Sequence, residues 1–86
     1  MAEHKIGIIT HYFGKIGVAA VKITDGVLEV GDTIRIKGHT SDVTQTVHSM
    51  QVEHDAVEIA RPGDEVGLKT TEYVREHDAV YKVTPE

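Results

Sequence analysis

With 86 residues the chain has the length of one small domain, and a domain this size leaves too much of its surface wet to enclose a deep cleft. It is 40% apolar, which suits a globular chain, and it has no cysteine, which excludes a disulfide framework, a thiolate metal site and a thiol nucleophile. Its net charge of −5 argues against a sequence-independent grip on phosphate backbones, and no apolar run is long enough for a signal peptide or a bilayer crossing. These properties predict a complete, cytoplasmic, single-domain protein over residues 1–86 with no membrane association.

The apolar residues are mostly valine and isoleucine, whose branched side chains suit strands. Lys5 to Phe13 is expected to be the first strand, with Gly7 permitting a bend or a close backbone contact. Gly14-Lys15-Ile16-Gly17 connects it to Val18–Ile23, a second strand whose alanines leave room for a neighbouring element. Asp25-Gly26 signals a turn, Val27, Leu28 and Val30 return the chain to the core, and Gly31-Asp32 turns it again. Thr33 to Lys37 then alternates strictly, with Ile34 and Ile36 on one face, and stops at Gly38.

From Val43 the alternation resumes, placing Val43, Gln45 and Val47 together. It changes parity before Met50, which predicts a bulge. Ala56 to Ala60 reads either as a short strand or as a turn of helix. Arg61-Pro62-Gly63-Asp64 has the residues of a type II turn, Glu65–Lys69 follows as a strand, and Ala79–Val83 closes the set. Short strands at regular spacing with glycine or proline at most corners predict an all-β fold, a small closed six-stranded antiparallel barrel over about residues 5–83.

Three runs carry a resemblance: Gly26 to Asp32, Val47 to Asp55, and Ala60 to Leu68. In order and spacing they resemble domain 2 of the translational GTPases, the barrel that follows the nucleotide-binding domain in elongation factor Tu. The chain is also similar to an accessory barrel at the end of collagenase-like peptidases. The first resemblance implies a binding module that helps hold the aminoacylated end of tRNA, partly through a loop that here reads Glu53-His54-Asp55, and through a Gly-Arg-Gly-like segment that here reads Gly14-Lys15-Ile16. The sequence has no phosphate-binding Gly-x-x-x-x-Gly-Lys-Ser/Thr loop, so GTP hydrolysis would need another chain.

The charge is uneven: residues 1–40 sum to +1 and residues 41–86 to −6. Lys15, Lys22, Arg35 and Lys37, with Tyr12 as a stacking neighbour and His54 from the family loop, form the candidate binding set for RNA or a ribonucleoprotein. The acidic half favours a second reading, a protein-interaction subunit serving a separately encoded enzyme such as a collagenase-like peptidase. No catalytic residue, metal ligand or cofactor is predicted. The six histidines lack local ligand spacing, and the pairs Glu53-His54-Asp55, His77-Asp78 and His48-Ser49 are adjacent in sequence without being oriented by it.

Overall fold

A computed structural model describes residues 2–85 and contains no helix there. Ten strands follow in order: β1 (Ala2–Phe13), β2 (Val18–Ile23), β3 (Leu28–Glu29), β4 (Thr33–Lys37), β5 (Asp42–Thr46), β6 (Met50–Val52), β7 (Asp55–Val57), β8 (Ile59–Ala60), β9 (Glu65–Lys69) and β10 (Ala79–Thr84). Eight of them pair in the order β5-β4-β10-β1-β2-β9-β6-β7, and β3 pairs with β8. Every pairing is antiparallel.

The six expected strands become ten because Val43–Val52 divides into β5 and β6, Ala56–Ala60 supplies β7 and β8, and Leu28–Glu29 forms the short β3. The Val43–Val52 stretch does not continue across a bulge. It ends at Thr46, because Val47 leaves the ladder to exchange backbone hydrogen bonds with Gly31 and Asp32, both at 2.8 Å. Ala56 to Ala60, open between strand and helix in the sequence, is extended and split between β7 and β8.

Bulges do occur, and they lie in β1. Its register shifts between Lys5 and Gly7 against β10 and between Ile9 and His11 against β2. Each extra residue reverses the facing of those that follow, so Ile6 and Ile9, an odd number of positions apart, are both fully buried. The first bulge also presses Gly7 onto β2, where a Cβ would overlap the carbonyl oxygen of Lys22. That is the close backbone contact expected of this glycine.

The barrel closes at a seam made differently from the rest. β8 continues β7 after Glu58, and β3 leads into β4 through the Gly31-Asp32 turn, so the β3–β8 pair and the Val30 amide to Glu58 carbonyl bond (3.0 Å) return the sheet to its start. The free edge of β5 is tied down by a side chain: the Gln45 carboxamide donates to the Lys69 carbonyl (2.7 Å) and accepts from the Thr71 amide (2.9 Å). Inside lies one apolar cluster drawn from all around the ring, including Ile6, Ile9, Val21, Leu28, Ile36, Met50, Val66 and Val80.

Three corners share one device. In Glu29-Val30-Gly31-Asp32, Arg61-Pro62-Gly63-Asp64 and Arg75-Glu76-His77-Asp78, the fourth residue's amide bonds the first carbonyl and its carboxylate accepts the first amide at 2.8–2.9 Å. The third position has positive φ each time: 99° at Gly31, 96° at Gly63 and 74° at His77. These are type II turns stapled by aspartate, and His77 holds a conformation that favours glycine.

Candidate functional site

Small residues on the outer face of β2 and β9 expose backbone that side chains cover elsewhere. Ala20 of β2 is the cross-strand partner of Gly67 of β9, and Gly67 in turn faces Gln51 of β6. Successive strand residues face opposite ways, so buried Ala19, Val66 and Leu68 leave Ala20 and Gly67 pointing outward. A Cβ at Gly67 would meet Val18 Cγ1 at 3.5 Å and the Gln51 carbonyl oxygen at 4.0 Å, ordinary contacts that it could make without displacing either.

Around this floor runs a wall of mixed character. The β1–β2 hairpin supplies Phe13 and Ile16, 46% and 63% exposed. The tight turn between β6 and β7 supplies Glu53 and His54, and the segment after Gly63 supplies Asp64 and Glu65. The resulting open trough has a volume of about 690 Å³. A smaller recess of about 500 Å³ along β3 and β8 is lined by Glu29, Val30, Glu58 and Ile59 and has no comparable apolar floor.

Strain is concentrated at one point of the rim. Glu53 and His54 have φ of 50° and 69°, consecutive left-handed residues in a two-residue turn where asparagine and glycine would sit at little cost. The two carboxylates after Gly63 are better anchored. Asp64 accepts the Arg61 amide at 2.9 Å, and Glu65 accepts the Thr10 hydroxyl at 2.8 Å.

The six residues predicted to form a binding set are spread over the barrel. His54 lines the trough, and Lys15 stands beside Ile16 in the hairpin turn. Lys22 faces outward opposite Glu65. Two strands, β10 and β1, separate β2 from β4, so Arg35 and Lys37 lie on another part of the surface. There Arg35 bonds both Asp42 oxygens at 2.8 Å and Glu3 at 2.9 Å. The Asp42 bond, then the Glu3 bond, raises the guanidinium pKa above the ordinary arginine value, and the same Arg35 bond lowers that of Asp42. Tyr12 turns away from Phe13 toward the core, with its ring edge-on to Tyr73 at 4.7 Å, and Arg75 lies 5.6 Å from the Tyr73 ring.

The sequence-adjacent imidazole and carboxylate pairs have structural roles. Asp78 is buried and spends its carboxylate on the Arg75 amide, while His77 supplies the positive φ of the same turn. His4 and His11 lie by other carboxylates, at 2.9 Å from Asp25 and 3.2 Å from Glu76. Among the described residues no group of three or more histidine, cysteine, aspartate or glutamate side chains is placed to hold a metal ion, and no helix is long and apolar enough to cross a membrane.

Sequence reading took the alanines of β2 as room for a neighbouring element but missed the other half of the floor, Gly67, although a glycine in mid-strand is a common mark of close approach by another molecule.

Residues 17–72 match the family described as elongation factor Tu domain 2. The chain belongs to that family. Among known proteins it is 42% identical over 78 residues, 90% of its length, to an uncharacterised protease of Methanocaldococcus jannaschii, of which it covers 19%. It is 38% identical over 72 residues, 83% of its length, to a collagenase of Porphyromonas gingivalis, of which it covers 20%. The chain thus spans about a fifth of the curated relatives it matches.

Among solved structures, the C-terminal domain of a protein described as a U32 peptidase from Geobacillus thermoleovorans superposes with a TM-score of 0.87 at 20% identity, over 94% of this chain and 93% of that one. Its selenomethionine variant gives 0.83 at 20% identity, over 90% and 96%. At that identity the likeness establishes the fold. The domain 2 barrel therefore occurs here in a form that also matches segments of peptidases.

Proposed function

We propose that this domain 2 barrel is a protein-docking accessory module of a collagenase-like peptidase, contributing binding while another domain or chain carries out hydrolysis. The observation that carries this reading is the 38–42% identity to a protease and a collagenase, each over more than four-fifths of the chain. The exposed trough with Phe13 and Ile16 on its wall supplies a surface suited to a protein partner. The module works in the cytoplasm, where a cysteine-free chain loses nothing to reducing conditions.

The RNA reading has less behind it. Its cations are few, Arg35 is held by two carboxylates, and Lys22 sits opposite Glu65, whereas binding to phosphates grows with the number of cations that converge on them. His54 remains at the trough and would contribute contacts to a protein partner there.

Affinity capture of the tagged chain from native lysate, with and without nuclease, tests the proposal. A collagenase-like or U32-type peptidase should be recovered in stoichiometric yield and be unaffected by nuclease. Recovery of RNA in place of a peptidase, lost on adding salt, would reject it.

A further inference from the structure

We infer that the trough over Ala20 and Gly67 seats an apolar side chain of an extended polypeptide segment that carries lysine or arginine beside that side chain. This rests on the protein-docking reading and gives its partner a chemistry.

The floor sets the shape of the guest. Ala20 and Gly67 leave a strip of sheet with nothing larger than a methyl on it, so an incoming group can lie close to the backbone, and Phe13 and Ile16 offer apolar contact along one side. The volume of about 690 Å³ lies within the ~300–1,000 Å³ of ligand sites, enough for one large side chain with the backbone around it.

The rim sets its charge. Three carboxylates, Glu53, Asp64 and Glu65, line the trough together with His54, and no lysine or arginine does. Lys22 stands outside it, opposite Glu65. A phosphate-bearing guest would meet like charge, whereas flanking lysine or arginine meets its complement. Backbone strain marks the same rim: Glu53 and His54 both hold positive φ, and strained residues concentrate where a surface is shaped for a contact.

The test is a titration of the isotope-labelled whole chain, followed by amide NMR, with the blocked peptide acetyl-Gly-Lys-Leu-Arg-Gly-amide. Parallel titrations use the same peptide with glutamate replacing both basic residues, with serine replacing leucine, and adenosine 5′-monophosphate. The basic, leucine-bearing peptide should shift the amides of Ala20, Gln51 and Gly67, and both control peptides should bind about ten-fold more weakly or not at all. Gly67→Val should abolish binding while the remaining spectrum stays native, because a Cβ there makes only ordinary contacts and valine suits a strand. A chain with Glu53→Gln and Glu65→Gln should bind the basic peptide about five-fold more weakly, and added salt should remove that difference.

No shift with the basic peptide, equal shifts with the acidic one, shifts outside the trough, shifts that survive Gly67→Val, or seating of adenosine 5′-monophosphate alone would each overturn the inference. The two proposals fail separately. A peptidase captured equally well by Gly67→Val leaves the accessory role and removes the trough from it. Peptide binding without peptidase capture does the reverse.

Discussion

The carboxylate of Asp78 occupies the place where a Cβ on Gly38 would sit. Asp78 is buried at the start of β10, its position fixed by the Arg75 amide, and β10 pairs with the strand that Gly38 ends. Gly38→Ala must displace either a buried carboxylate or the end of β4. A loss of about 2–4 kcal/mol is expected, from overpacking together with a broken buried hydrogen bond. Denaturant midpoints would measure it.

His77 stands in a turn position that glycine fills in the two sister turns. His77→Gly relieves a left-handed residue and gains unfolded-state entropy, opposing effects of which the strain is the larger, so stability should rise by about 0.5–1 kcal/mol. Gly63→Ala should fall by about the same amount in the same thermal melts, because its φ of 96° disfavours any side chain.

Gln45 joins β5 to the end of β9 with two hydrogen bonds from one side chain. Gln45→Leu keeps the bulk and loses both, leaving the Lys69 carbonyl and the Thr71 amide to find water. A cost of about 1–3 kcal/mol is expected, and hydrogen exchange at Thr71 should accelerate.

The Arg35–Asp42 pair makes stability depend on pH in one direction. The hydrogen bonds from Arg35, and secondarily its charge, hold the Asp42 pKa below the ordinary 3.8. The contribution is therefore full above pH 3.8 and drains away as the pH falls through the lower folded value. Unfolding curves of the natural chain and of Asp42→Asn should differ near neutrality and converge in stronger acid. A difference that grew on acidification would contradict the pairing.

How much could be read beforehand depended on the range of the interaction. Thr33 to Lys37 alternates as predicted, with Ile34 and Ile36 buried, and Pro62-Gly63 turns as its residues dictate, since both follow from local sterics and period-two facing. The corner at Val47 was visible only as a change of parity. Whether it was a bulge or a strand end depended on Gly31 and Asp32, a partner segment distant in the chain. The candidate cations illustrate the same limit, because nothing local to Lys22 or Arg35 shows that β10 and β1 come between their strands.

By itself the order of residues determined an all-β chain, the position of most corners, the inward set of aliphatic side chains and the kinship with domain 2 barrels, all properties carried by neighbours a few positions apart. Only tertiary structure decided where the ring closes, that Asp78 claims the space at Gly38, and that Ala20 meets Gly67 beneath an open trough. Those outcomes turn on which strands pair and in what register, and long-range pairing is chosen by the packing of the whole core rather than by any local stretch.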